Sequence, residues 1–328
     1  MSRHVFVTGG AGFIGRELTS KLLAKGYRVT CFDVGEQFLS NAAFFEALPN
    51  QDRLTCVRGT ILDRWAMQNA MRGAEVCVHL AAMLGVKRTE DNKLRCMEIN
   101  VTGTDRTLSA CAFNNIKHVI LASSSEVYGE PTRNPIQECD ETKGKTVYAV
   151  SKMAGEELVK GYNQLFPAMD YTIIRFFNTY GEGQVAQFVL AKFVKAVLEG
   201  RNPVVFGDGS QKRSYCHVDD STDGVIRIIE NPIARGKVYN IGNSAELSTL
   251  KQLAQTVIDV LKPGSSLGVD VLGGFDGSDR SHEREIFQRF CDNSLARAEL
   301  GFDPRITVEE GIRRIAAAGW IRDNWPNS

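Results

Sequence analysis

Tyr148 and Lys152 stand four residues apart in "VYAVSKMAGEEL" (147–158), where apolar residues begin to recur at helical spacing. One helical turn puts a phenol and an ammonium on the same face. A nearby positive charge favours the phenolate, so the pair can move a proton near neutral pH. Two polar groups on a solvated helix face are the plainer alternative. Ser124 lies 24 residues upstream in "SSSEVYG" (123–129), with Ser125 and Glu126 beside it. Hydroxyls and a carboxylate there can bind a substrate hydroxyl or share in proton transfer. Taken alone, that stretch is also an ordinary turn.

A cofactor site is written nearer the N-terminus. "TGGAGFIG" (8–15) sets Gly9, Gly12 and Gly15 between a short apolar run and an amphipathic one. Bare backbone at a helix N-terminus can cradle a pyrophosphate, with N–H donors and positive potential aimed at it. Asp33 ends the next apolar run, about 20 residues on, where a carboxylate can accept from a ribose 2′-hydroxyl. "VGEQ" follows Asp33 and carries no arginine for a 2′-phosphate, which favours NAD over NADP; Arg16 is the nearest competing cation.

Elements that could hold these groups alternate regularly. Strand-like runs fall at "HVFVTGG", "YRVTCFD", "LTCVRGTI" (54–61), "EVCVHLAA" (75–82), "IKHVILASSS" (116–125) and "DYTIIRFFNTYG" (170–181), with helical patterns between them. These runs are nearly all apolar, as in a parallel sheet covered on both faces. The expected fold is therefore α/β, a Rossmann-type doubly wound parallel sheet with ligands outside the carboxyl ends of its strands. From about residue 181 the pattern loosens into a smaller C-terminal α/β lobe. The expected division is 1–180 for the dinucleotide and 181–328 for the substrate, with some later segments crossing back to the main sheet.

Composition narrows the class. The 328 residues are 43% hydrophobic and 24% charged, with 39 Lys+Arg against 39 Asp+Glu. No basic excess argues for nucleic acid, and no apolar run reaches the roughly 18 residues of a membrane span. Eight scattered cysteines without a C-x-x-C pair read as reduced thiols of a cytoplasmic protein. The five histidines lack zinc-ligand spacing, so no metal is expected. A cleavable leader would take the first strand with it, so none is expected.

The ordered set "TGGAGFIG", "HLAA" (79–82), "SSSEVYG", "YAVSK", "RFFNTYG" (175–181) and "GDGSQKRSYCHVDD" (207–220) resembles the extended short-chain dehydrogenase/reductase family. The likeness is nearest to its nucleotide-sugar epimerase/dehydratase branch and covers residues 3 to about 303. It implies NAD lying along Gly9, Gly12, Phe13, Ile14, Gly15, Asp33, Thr60, Ile61, Leu80, Ala81 and Ala82. It makes Tyr148 the general base, Lys152 the holder of the nicotinamide ribose, and Ser124 the hydrogen-bonding partner of the reacting oxygen. Ser125 and Asn178 fall at substrate positions, and Arg213 and Arg280 at diphosphate positions, with Arg284 as the alternative to Arg280. Asn100 matches a structural residue of the central helix. Pairing of two helices, about 100–115 and 149–166, implies a homodimer.

Two departures bear on the reaction. The pair Gly59–Thr60 stands where the family often has Gly–Asp, with Asp63 three residues later, and Thr60 can still accept a hydrogen bond. Ser125–Glu126 replaces the Asp–Glu of sugar 4,6-dehydratases and resembles uronic-acid decarboxylases and some epimerases. The expectation is a nucleotide-sugar 4-epimerase of UDP-hexose type acting through a 4-keto sugar, with uronic acid decarboxylation as the alternative. A 4,6-dehydratase, a reductase of a non-sugar ketone and a non-catalytic NAD-binding protein rank below these.

Overall fold

The computed structural model describes residues 3–184, 187–275 and 282–319. Seven short apolar segments form one parallel sheet: β1 (His4–Thr8), β2 (Arg28–Asp33), β3 (Leu54–Arg58), β4 (Val76–His79), β5 (His118–Ser124), β6 (Asp170–Phe176) and β7 (Lys237–Ile241). Their spatial order is β7-β6-β5-β4-β1-β2-β3. The chain runs outward from β1 in one direction and from β4 in the other. The carboxyl ends of these two strands therefore flank the switch point where such sheets bind ligands.

Alternation of side chains divides each strand between two cores. Val5, Val7, Val29, Cys31, Ile120 and Ile174 face one side, against α1 (Phe13–Ala24), α5 (Val218–Glu230) and the helix Ser294–Leu300. Phe6, Phe32, Cys77, Val119, Leu121 and Ile173 face the other. There they meet the helix Arg64–Ala70, α2 (Gly103–Phe113) and α3 (Val147–Leu165). A third core joins α4 (Val189–Leu198), α6 (Leu250–Leu261) and α7 (Val308–Ala317) through Leu190, Phe193, Val194, Leu253, Val257 and Ile312. Among the described residues, no helix is long and apolar enough to cross a membrane.

Strand ends differ from the sequence expectation where chain leaves the sheet. β3 stops at Arg58, and as the edge strand it exposes Thr55, Cys56 and Arg58. β4 stops at His79, and Leu80 and Ala81 already hydrogen-bond back to Thr8. The helix expected from about residue 100 starts earlier, at Lys93, and passes through a π turn, Glu98–Thr102, into α2. Past residue 181 the chain divides its loyalties. β7 extends the main sheet beside β6, while Val204–Phe206, Lys212–Ser214 and Leu247–Thr249 lie in small separate sheets.

Two glycines fix the turn after β1. Gly9 has φ +67°, and a Cβ there would lie 2.7 Å from the Ala81 nitrogen. A Cβ on Gly15 would lie 2.1 Å from the Gly9 carbonyl oxygen and 2.7 Å from the Gly10 Cα. Only backbone stands in the way at Gly15, so a methyl group must displace the turn. Overpacking of this kind costs about 1–3 kcal/mol. Gly15→Ala is expected to lower the melting temperature and to weaken dinucleotide binding at least about tenfold, as 1.4 kcal/mol corresponds to a factor of ten. Calorimetric unfolding and titration calorimetry with NAD check both effects.

Candidate active site

α1 begins at the glycine turn with Gly12 as its N-cap and no side chain on its first N–H groups. Phe13 and Ile14 form its first turn. The helix N-terminus is therefore open to an anion. Asp33 closes the far side: its carboxylate accepts from Ala11 N at 3.0 Å and Val34 N at 2.8 Å. Burial pushes its pKa up, and these backbone donors oppose the rise. Arg16 donates to Asn41 Oδ1 and the Glu182 carbonyl, and its guanidinium lies over the Phe44 ring. Thr60 is exposed beyond β3, and its hydroxyl accepts from Leu62 N at 3.3 Å. Ile61 is buried, and Leu80, Ala81 and Ala82 leave β4 beside Gly9. A bare glycine turn, an uncapped helix end and a carboxylate at the next strand tip match the pyrophosphate and ribose of a dinucleotide.

The reactive groups gather at the carboxyl end of β5. Ser124 is its last residue, and Ser125–Tyr128 form a single 3₁₀ turn held by the Ser124 hydroxyl, which accepts from Glu126 N at 3.2 Å. Thr146 caps α3 by accepting from Ala149 N at 3.1 Å, which starts the helix one residue before Tyr148. The Ser124 hydroxyl lies near enough to the Tyr148 phenol to favour its phenolate. Lys152 is 9% exposed, donates to the Ala122 carbonyl at 2.8 Å, and places its ammonium 5.8 Å from the Tyr148 ring centroid. Serine, phenol and ammonium therefore meet between one strand end and the first turn of one helix.

Burial governs their titration. Desolvation pushes the Tyr148 phenol well above its usual range, and the Glu126 carboxylate pushes it further. The Ser124 hydroxyl and the Arg289 charge pull it back. Burial brings Lys152 down to about 8, against Cys96 and Glu156. The phenol is thus moderated by Ser124 and Arg289, partners outside the helical pair from which its activation was expected. His79 is brought down to about 3 by burial and by the Lys152 charge, and as a neutral ring it bridges Thr8 and Thr104.

Arg289 was not singled out in the sequence. It lies in the short strand Gln288–Arg289, beside Lys212–Ser214, and is 5% exposed. Its guanidinium pairs with Glu126 and donates to Asn178 Oδ1 at 3.2 Å, while its Nε has no hydrogen-bond partner among the described residues. A lone arginine within the apolar run "IFQRFC" was the available signal. Asn178 sits two residues past β6 at φ +37° and donates to the Ser214 carbonyl at 2.8 Å. Arg213 pairs with Glu285 and donates to the Phe287 carbonyl at 3.2 Å. Arg284 pairs with Glu90, which also accepts from Val147 N at the start of α3. Arg280 lies outside the described residues. Asn100 bonds the Met83 backbone and the Ser151 hydroxyl, tying the π turn to α3.

The NAD-dependent epimerase/dehydratase model matches residues 5–242. The chain belongs to this family. It is 31% identical over 332 residues to a UDP-N-acetyl-alpha-D-glucosaminuronate decarboxylase of Bacillus cytotoxicus, covering 98% of this chain and 99% of that one. It is 32% identical to a UDP-glucose 4-epimerase of Mycolicibacterium smegmatis, covering 95% and 96%. The structure of a UDP-glucuronic acid 4-epimerase from Bacillus cereus, in complex with UDP-glucuronic acid and NAD, superposes with a TM-score of 0.86 at 26% identity, covering 98% of this chain and all of that one. NAD is the cofactor, and the protein is an enzyme of the epimerase/dehydratase type.

Glu126→Gln removes the negative charge that raises the Tyr148 pKa and leaves the Arg289 charge, which lowers it. Both changes favour the phenolate. The expected outcome is a Tyr148 titration displaced to lower pH, followed by tyrosinate absorbance with Tyr148→Phe as the blank. An unchanged or higher titration contradicts this electrostatic account.

Proposed function

We propose that the protein is an NAD-dependent nucleotide-sugar 4-epimerase of the UDP-hexose type, acting through a transient 4-keto sugar. The meeting of Ser124, Tyr148 and Lys152 beside the dinucleotide cradle carries this reading. Tyr148 as phenolate takes the proton of the sugar 4-hydroxyl. Ser124 donates to the same oxygen as it becomes a carbonyl, and Lys152 holds the nicotinamide ribose while its positive charge favours the phenolate. Held by the glycine turn, Asp33 and Lys152, NAD would supply a reversible acceptor for the C4 hydride. Tyr148 gives the proton back once the keto-sugar has presented its other face. Residues 1–180 serve the cofactor and 181–328 the nucleotide sugar, through Arg213 and Arg280 or Arg284, with Asn178 of the first span beside them. Binding energy from the diphosphate keeps the intermediate in place between the two half-reactions.

A second reading rests on Arg289. Among the described residues, the Nε of this buried guanidinium beside Glu126 has no hydrogen-bond partner. Buried donors without partners are rare, and an anionic substrate group is a fitting acceptor. If that group is the carboxylate of a uronic acid, the same 4-keto intermediate can lose carbon dioxide before the hydride returns. The decarboxylase relative from Bacillus cytotoxicus supports this branch. Mass spectrometry of UDP-hexoses and UDP-uronic acids after incubation decides between them. An unchanged mass with a new stereoisomer means epimerase, loss of carbon dioxide means decarboxylase, and no product from any UDP-, dTDP- or GDP-sugar overturns both.

Tyr148→Phe is expected to lower turnover by about 10²–10⁴-fold, the usual contribution of a positioned acid or base. NAD affinity should stay near that of the unchanged protein, measured by titration calorimetry. Normal turnover by this variant removes the mechanism. We also infer a cytoplasmic homodimer. All eight cysteines are free, and Leu94, Phe113, Val150, Leu165 and Phe166 expose apolar surface on or beside α2 and α3. Light scattering after size exclusion should give twice the 36.2 kDa of one chain, and a 36.2 kDa species at micromolar concentration rejects the dimer.

A further inference from the structure

Behind the reactive turn lies a buried ion pair that the proposed mechanism does not use. Glu156 follows Lys152 by one helical turn on α3 and is 3% exposed; Arg175 on β6 is 5% exposed. Arg175 grips the carboxylate with both ends of its fork, Nε to Oε1 at 2.9 Å and Nη2 to Oε2 at 2.6 Å. Ser123, the residue before Ser124, donates to Glu156 Oε1 at 2.5 Å. On its other side Arg175 donates to the Tyr128 hydroxyl at 2.9 Å and the Glu138 carbonyl at 3.0 Å, and lies over the Tyr128 ring. Tyr128 in turn donates to Asn240 Oδ1 on β7 at 2.7 Å.

Ser123 and Tyr128 are the two ends of the segment that carries Ser124, Ser125 and Glu126. One ion pair therefore bolts both ends of that turn, and it does so from the helix that carries Tyr148 and Lys152. We propose that Glu156 and Arg175 are positioning residues that set the reach from Ser124 to Tyr148. The inference rests on the reading of Ser124 and Tyr148 as the groups that oxidise the sugar hydroxyl. A buried ion pair is weak evidence for stability by itself, since apolar groups of similar volume often replace it without loss. Its bidentate geometry is what fixes two elements in one register. Lys152 donates to the carbonyl of Ala122, one residue before Ser123. The clamp therefore acts on strand and helix at the same level as both reactive side chains.

Glu156→Gln keeps the shape and loses the charge-assisted fork; Glu156→Leu with Arg175→Met replaces the whole pair by apolar groups. Misplacement by about 1 Å can reduce a rate about a hundredfold, so both are expected to lower kcat at least about tenfold on that scale, with little change in KM or NAD affinity. The double variant is the control for folding: its melting temperature should remain near that of the unchanged protein. A double variant with native melting temperature and native kcat overturns the proposal. If the double variant does not fold, Glu156→Gln with Arg175→Lys gives the same comparison of kcat with KM. A substrate-free measurement separates this proposal from the reading beneath it. The ¹³Cζ resonance of Tyr148, assigned by its loss in Tyr148→Phe, reports the surroundings of the phenol, the Ser124 hydroxyl among them. It should move in the variants that break the clamp. A shift in protein that turns over no nucleotide sugar keeps the clamp and rejects the function; an unmoved resonance rejects the clamp.

Discussion

The close approach of two backbones at the sheet's switch point constrains everything else. The turn after β1 runs so near the exit of β4 that Gly9 has no room for a Cβ beside Ala81. Gly9 N also donates to the Phe32 carbonyl of β2, and Leu80 N to the Thr8 carbonyl of β1. Three strands are thus tied together by main chain at the point where the chain reverses its winding. This contact aims the first turn of α1 along the crevice, which makes the helix N-terminus a place for the pyrophosphate. It also sets the floor on which β5 presents Ser124, one strand beyond β4.

Low dielectric then decides how the polar groups behave. Burial alone pushes Tyr148 away from phenolate and Lys152 away from ammonium, which works against proton transfer. The fold answers with fixed neighbours: the Ser124 hydroxyl near the phenol, the Ala122 carbonyl on the ammonium, and Arg289 opposite Glu126. A hydrogen bond to a charged group is stronger than a neutral one, so these partners weigh most when the phenolate forms. Glu126 acts in the opposite sense on Tyr148, and its pairing with Arg289 limits that effect. Any anionic substrate group drawn to Arg289 competes for that same guanidinium, so substrate binding and the electrostatics of the base are joined through one residue.

Local spacing made much of this legible. The glycine turn, Asp33 at a strand tip and the Tyr148–Lys152 step each lie within one element and its neighbour, so period and residue type were enough. The alternation of apolar strands with helical patterns was likewise enough for the doubly wound sheet. Arg289 was hidden because its partner Glu126 is 163 residues away and comes from a C-terminal stretch of weak periodicity. Arg175 was hidden differently. It sits only 19 residues from Glu156, but inside a strand read as apolar, where nothing in the sequence reveals which side a charged residue faces. The exposure of β3 was missed because edge position depends on strand order, which is a property of the whole sheet.

The same three reactive groups serve both branches of the proposed chemistry, and this locates the choice between them. Proton removal by Tyr148 and stabilisation of the new carbonyl by Ser124 are common to epimerisation and decarboxylation. What differs is whether C4 turns over before reduction or whether a carboxyl group leaves first. Turning requires room around the sugar; decarboxylation requires a carboxylate held while its bond to carbon weakens. Glu126 and Arg289 lie beside the common trio without belonging to it, one on the β5 turn and the other on the C-terminal lobe. The lobe that carries Arg289 also carries Arg213 and the loop after β6 carries Asn178, so in the proposed function sugar orientation falls to chain outside the dinucleotide cradle. Conserving the β5–α3 geometry while altering the strand Gln288–Arg289 would change the fate of the keto-sugar without changing how it is made.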